Sequence, residues 1–345
     1  MAAAERLSLR FAALAMVLCS GLVAQGMPAV TFESLARAES SLNARIRQTR
    51  SVFQIDGQGG AQWHSLVESL VLGGLDRDGN ARFRLALDSV PGRSLDPAEL
   101  EQRRTVHASH AGYLQQFETF RVENPVAAAR NYTLFHLDDR ERLGRATHRV
   151  AVVPRRFGRS AWILELDAAT LYPLFSAEVS AFGVVVATLE VTTFALATPA
   201  ELSAVTWWAP TMLMSRFSDA ASAAASLGLV RPAAMDGAAL PADYALIEVR
   251  AVRNDLRPES SLVFVHGDGI DSLFVIDTYG APPPPLPWSS PSDPTAPYAI
   301  FSYADQNVAQ LMFHVHGVRT MVIGRSSHLE LGLLAESLLR QATGQ

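Results

Sequence analysis

RLGRATHRVAVVPRRFGRSAWILELDAATLYPLFSAEVSAFG, from Arg142 to Gly183, is the stretch whose pattern decides the fold. Within it Trp162, Leu164 and Leu166 fall on one face and Ile163, Glu165 and Asp167 on the other, the period of a strand. Gly144, Gly158 and Gly183 punctuate the runs. Short alternating runs bounded by turn residues predict neighbouring strands joined by hairpins rather than parallel strands with helical crossovers. The result is a curved antiparallel sheet with one apolar side, which must be covered by the chain's own helices, by a lipid or by a partner.

Upstream, Tyr132 to Leu137 and Arg82 to Leu87 read as further strands, the second following the turn signal Asp78-Gly79-Asn80. Gln62 to Val71 fits a strand or a short helix, and Val52 to Ile55 ends at the turn Asp56-Gly57. Phe32, Leu35, Ala36, Leu42 and Ile46 predict one amphipathic helix from Phe32 to about Arg50. Pro97 to Arg104 is a second helix with Asp96 placed to cap it, and Pro125 to Arg130 a short third. Downstream, the apolar strand Val184 to Phe194 completes a large domain over 30–198.

Residues 199–241, rich in Ala, Ser, Met and Gly, read as a partly helical linker. A smaller domain over 242–345 then holds a strand from Tyr244 to Val252, a hairpin of Ser261–Val265 and Ser272–Ile276 around Gly267-Asp268-Gly269, and a late strand from Thr320 to Ile323. Ser327 with Glu330 forms a capping box for a closing helix through Leu331, Leu334, Leu338 and Leu339. The proline-dominated segment Ala281 to Pro297 reads as an extended surface loop.

At 345 residues and 49% hydrophobic, the chain has material for two cores. A net charge of -5, with Lys and Arg scattered, argues against a nucleic-acid partner. Arg6 and Arg10 before the apolar run Phe11 to Ala24 mark residues 1–26 as a secretory signal, with cleavage expected between about Ala24 and Ala29 and a periplasmic destination. Cys19, the chain's only cysteine, lies in that run, where it is either lipidated or removed, so the mature chain is expected to use no disulfide and no thiol chemistry.

Among nine histidines, His314 and His316 share a strand face, with His266 and His328 in the same domain, but no spacing fixes a third ligand and no metal is expected. His107 and His110 flank Ser109 without a glycine-framed elbow or an orienting residue. Asp138, Asp139 and Glu141 beside Arg140 and Arg142 read as a solvated polar turn. With no phosphate-cradling glycine loop either, the chain reads as a binding protein, not an enzyme, and without a cofactor. Its candidate surface is an apolar concavity made by Phe53, Phe83, Leu85, Leu87, Trp162, Leu164 and Phe182. Arg82 and Arg84, on the opposite face by parity, are placed to meet an acidic partner or water.

The run Arg142-Leu143-Gly144-Arg145, then Val150 to Pro154, then Arg159 to Asp167 with Thr170-Leu171 resembles the RseB/MucB family of sigma-factor regulators: a glycine-arginine turn, a proline-ended strand, a Trp-Leu-Asp strand and its turn. Leu262 to Val275 and Val318 to Leu339 resemble that family's C-terminal hairpin and its closing strand and helix. Ala169 to Leu171 departs from the pattern by lacking the turn's glycine. The resemblance implies an α+β protein: a half-open antiparallel β-barrel of lipoprotein-carrier type plugged by helices, followed by a smaller α/β domain. It implies as partners the periplasmic part of a membrane anti-sigma factor and an envelope lipid or lipopolysaccharide signal. The alternative it leaves is a periplasmic lipid or lipoprotein carrier.

Overall fold

Helix α1 (Phe32–Ser40) begins where Thr31 and Ser34 exchange backbone-to-hydroxyl hydrogen bonds of 3.0 and 3.1 Å. It ends where the Ser40 and Ser41 hydroxyls donate to the Arg37 carbonyl at 2.8 and 3.2 Å. The helix expected to reach Arg50 therefore stops early and strand β1 (Asn43–Ile55) replaces its second half. The reason is a change of period: Ala44, Ile46 and Val52 are buried while Asn43, Arg45 and Arg47 are exposed. The computed structural model describes residues 30–55, 61–76, 81–156, 158–209, 213–229, 243–253, 259–280, 298–302, 309–315, 317–325 and, near the C-terminus, 334, 336–338 and 340.

Strands β2 (Ala61–Leu75) and β3 (Ala81–Ser89) continue from β1 as a meander, so the ambiguous segment from Gln62 is a strand. Helices α2 (Pro97–Phe117) and α3 (Pro125–Asn131) follow. A second meander comprises β4 (Tyr132–Arg142), β5 (Arg145–Pro154), β6 (Ala161–Asp167), β7 (Pro173–Val179) and β8 (Val185–Leu196). Antiparallel pairing of β1 with β8 fuses the two meanders into one eight-stranded sheet, in the order β3-β2-β1-β8-β7-β6-β5-β4. The sheet stays open, with β3 and β4 as its edges. Helix α2 starts at a reciprocal capping box, Glu99 N donating to Asp96 and Asp96 N to Glu99, and lies against β3.

Two tight turns shape the second meander. Leu143 and Gly144, with φ of 57° and 70°, form the left-handed pair that a two-residue hairpin requires. Leu171, where the family pattern has glycine nearby, also adopts φ 58°. A side chain there costs roughly 1–2 kcal/mol. Asp167 holds the turn, accepting from Thr170 N and Oγ1 at 2.9 and 2.7 Å and from Arg145 Nε at 2.7 Å. Burial pushes the Asp167 carboxyl up, yet the bonds from Arg145 and Thr170 outweigh it and hold it below the usual carboxylate range.

Ion pairing also explains why β6 is buried on both faces: Glu165 takes Arg142 at 2.6 Å, and Asp167 takes Arg145. Arg142 and Arg145 cover Phe175 and Phe194 at 4.9 and 5.0 Å from the ring centroids.

Within the expected linker 199–241 the described residues form regular elements, and the chain divides into compact units at Trp208 and Ala209. Helix α4 (Pro199–Ser203) and the pair Trp207-Trp208 belong to the first unit. Strand β9 (Leu213–Phe217) and helix α5 (Ala220–Ser226) belong to the second. That unit adds β10 (Ala245–Arg253), β11 (Ser260–Gly267), β12 (Ser272–Tyr279), β13 (Tyr298–Ser302), β14 (Ala309–Val315) and β15 (Val318–Gly324).

Its seven strands, ordered β13-β14-β15-β12-β11-β10-β9, pair antiparallel throughout, so the smaller domain expected as α/β is mainly an antiparallel sheet. Val249, Leu262, Leu273 and Val322 pack with Ala223 and Ala224 of α5 and with Leu334 and Leu338. The capping box at Ser327 and the proline-dominated segment 281–297 lie outside the described residues, as do His316 and His328.

Candidate functional site

The inner face of the first sheet is where the predicted surface residues must be sought. Phe83, Leu85 and Leu87 do share one face of β3, and Trp162 and Leu164 one face of β6. These five are only 0–5% exposed. Phe83 and Leu85 pack with Leu70, Leu72, Ala111 and Leu114, the last two from α2, and Trp162 meets Phe120 edge-on at 5.5 Å. Phe53 is half-buried beside Trp63, with ring centroids 5.4 Å apart. Phe182 stands apart, 80% exposed on the turn before β8.

The inner face is thus a covered core. Between α1, the end of α2 and β7 lies a cavity of about 60 Å³, lined among others by Leu35, Gln115, Phe120, Tyr172, Ser176 and Leu189.

What holds α2 over this face is polar. Glu68 of β2 accepts from His107 Nε2 at 2.8 Å and Arg50 Nε at 3.2 Å through one oxygen, and from Gln48 Nε2 at 2.8 Å through the other. Burial raises the Glu68 pKa, but the Arg50 charge, the His107 contact and the Gln48 bond prevail and set it at about 2. Arg50 also donates to the carbonyl of Glu118, the C-cap of α2, at 3.0 Å. With both carboxylate oxygens engaged and the side chain 0% exposed, the cluster is a clamp rather than an acid–base site.

His110 is exposed and Ser109 donates to the Val106 carbonyl at 2.7 Å, so the Ser109 neighbourhood does not assemble a nucleophile.

A second hold comes from the tryptophan pair that sequence reading left in the linker. Trp208 N donates to the Phe83 carbonyl at 2.8 Å, and its ring stacks on Phe83 at 5.2 Å and 16°. Arg82 lies 5.1 Å over the Trp207 ring while donating to the Gly73 carbonyl at 3.0 and 2.7 Å. A Cβ at Gly73 would overlap Trp207, and one at Gly112 would overlap Trp208, so the absence of side chains at these glycines is what admits the two rings. The signal available in sequence was the aromatic doublet itself, in a stretch otherwise of small residues.

An open eight-stranded antiparallel sheet with its inner face covered by helices, followed in the chain by a second antiparallel unit, defines a two-domain β-rich class. Neither a protein-family profile nor a curated protein matches the sequence. Among solved structures, the chain is similar to MucB. The Pseudomonas aeruginosa MucA/MucB complex matches with a TM-score of 0.51 and 16% identity, over 88% of this chain and 95% of that one. A structure of MucB in complex with MucA(peri) matches to the same extent. MucB alone matches at 0.51 with 19% identity, over 88% and 94%. The resemblance in sequence to the RseB/MucB family therefore extends to the fold, across both units. No helix among the described residues is long and apolar enough to cross a membrane.

Proposed function

We propose that the chain is an exported, non-enzymatic regulator that binds the periplasmic part of a membrane anti-sigma factor and responds to an envelope lipid or lipoprotein signal. The observation that carries this reading is the match to MucB over 88% of the chain, which includes MucB bound to MucA(peri). The N-terminal signal pattern agrees with it. In a lipid response, the ligand has to move α2 or the tryptophan pair to reach Phe83 and Leu85, because Ala111, Leu114 and the Trp208 ring pack on them.

The test uses the mature protein as bait on membranes of its own source, followed by direct binding of the exported part of any single-span protein recovered. A regulator gives a saturable complex with that segment, and deletion of its gene alters envelope-stress transcription. No such complex together with unchanged transcription rejects the reading, and stoichiometric acylated cargo in mass spectra of the purified protein establishes the carrier instead.

A further inference from the structure

His136, Asp139 and His148 meet midway along the β4–β5 hairpin. Residues three apart on a regular strand face opposite ways. Here the register shifts between His136 and Asp138: His136 pairs with Val150, Asp138 with Arg149 and Asp139 with His148, leaving Leu137 as the extra residue of a bulge. The bulge turns Asp139 onto the face of His136, and its cross-strand partner His148 completes the group. Asp139 Oδ1 accepts from His136 Nε2 and from His148 Nδ1, both at 2.9 Å, and the rings stand 6.1 Å apart at 61°. The neighbouring guanidiniums do not compete, since Arg140 and Arg149 both engage Asp138, at 3.0 and 3.4 Å.

We propose that these three residues form a binding site for a divalent late first-row transition-metal ion of the zinc class, a role separate from the partner binding argued above. Two imidazoles and one carboxylate are the donor set such ions take, and three protein ligands leave a fourth position open to water or to another ligand. The three donor atoms all lie within 4.8 Å of one another. Metal–ligand bonds near 2.1 Å place tetrahedral donors roughly 3.4 Å apart, so each 2.9 Å contact widens by about half an ångström. Side-chain rotation at a partly exposed site supplies that. On binding, each imidazole proton moves to the other ring nitrogen or is released.

The experiment is calorimetric titration of the mature full-length protein with zinc chloride, after chelator treatment. The expected result is one ion per chain, with affinity reduced more than roughly tenfold by Asp139→Asn and abolished by His136→Ala combined with His148→Ala. His110→Ala, an exposed histidine on α2, binds as the wild type does. A second reading needs no variant: the ring-proton NMR signals of two histidines move together and saturate with zinc. Absence of binding, or binding unchanged in the double variant, overturns the proposal and leaves the group as a hydrogen-bonded brace on the hairpin.

Discussion

Glu68 and Asp139 are two carboxylates on the same sheet, each bonded to imidazole, and they differ in access to water. The Glu68 side chain is 0% exposed and has partners on both oxygens; that of Asp139 is 39% exposed and offers a single oxygen to both of its histidines. Inside the sheet no water can replace a lost partner, so Arg50, His107 and Gln48 are obligatory and the group is fixed. At the hairpin any partner can be exchanged for water, or the two protons for a metal, at little cost to the fold. The same chemistry is structural in one place and available in the other.

The sharpest way to break this contrast is Glu68→Gln. It leaves the Arg50 guanidinium buried without its counter-ion and is expected to destabilise the first unit by about 3–5 kcal/mol in urea unfolding. A loss under about 1 kcal/mol would mean that water reaches the cluster after all.

Acid tests the same group without mutation. The folded-state pKa of Glu68 lies at about 2, below its ordinary 4.5, so its contribution is complete above 4.5 and disappears as the pH falls from there toward about 2. Asp167 and Asp139 also have lowered values, so wild-type acid unfolding alone does not isolate Glu68. The difference between wild type and Glu68→Gln does. That difference is expected to shrink by roughly 3 kcal/mol across this window, and a difference that stays constant with pH assigns the clamp to shape rather than charge.

Close packing should hold α2 less firmly than the buried ion does. Gly112→Ala drives a methyl into the Trp208 ring and is expected to cost about 1–3 kcal/mol, with a change in tryptophan fluorescence as the ring leaves Phe83. A neutral effect would show that the tryptophan pair already moves freely.

How far these features were legible depends on how local they are. The hairpins of the second meander were, because glycine turns and strict alternation from Arg142 to Gly183 are short-range signals. Strand β1 before Val52 was not: Phe32, Leu35 and Ala36 are helical by spacing, and Ile46 happens to continue that spacing while belonging to a strand. The loss mattered, because Gln48 and Arg50 then vanished into a helix while Glu68 sat in an unassigned segment. A cluster drawn from β1, β2 and α2 exists only once the sheet is paired. The histidine group was hidden for another reason. His136 and Asp139 lie on opposite faces by parity, and only the bulge at Leu137, which no residue type announces, brings them together.

The smallest effect is the one that tests the other half of the contrast. Asp139→Ala removes the acceptor shared by His136 and His148, but both rings and the vacated space are reached by water, so stability should change by less than about 1 kcal/mol. Thermal melts of this variant and of Glu68→Gln, run together in a buffer free of metal, compare the two carboxylates directly. If Asp139→Ala unfolds the domain as readily as Glu68→Gln, the hairpin group is a structural brace like the interior one. If its melt overlays the wild type while zinc no longer raises the melting temperature, the exposed carboxylate is free to serve a ligand because the fold does not depend on it.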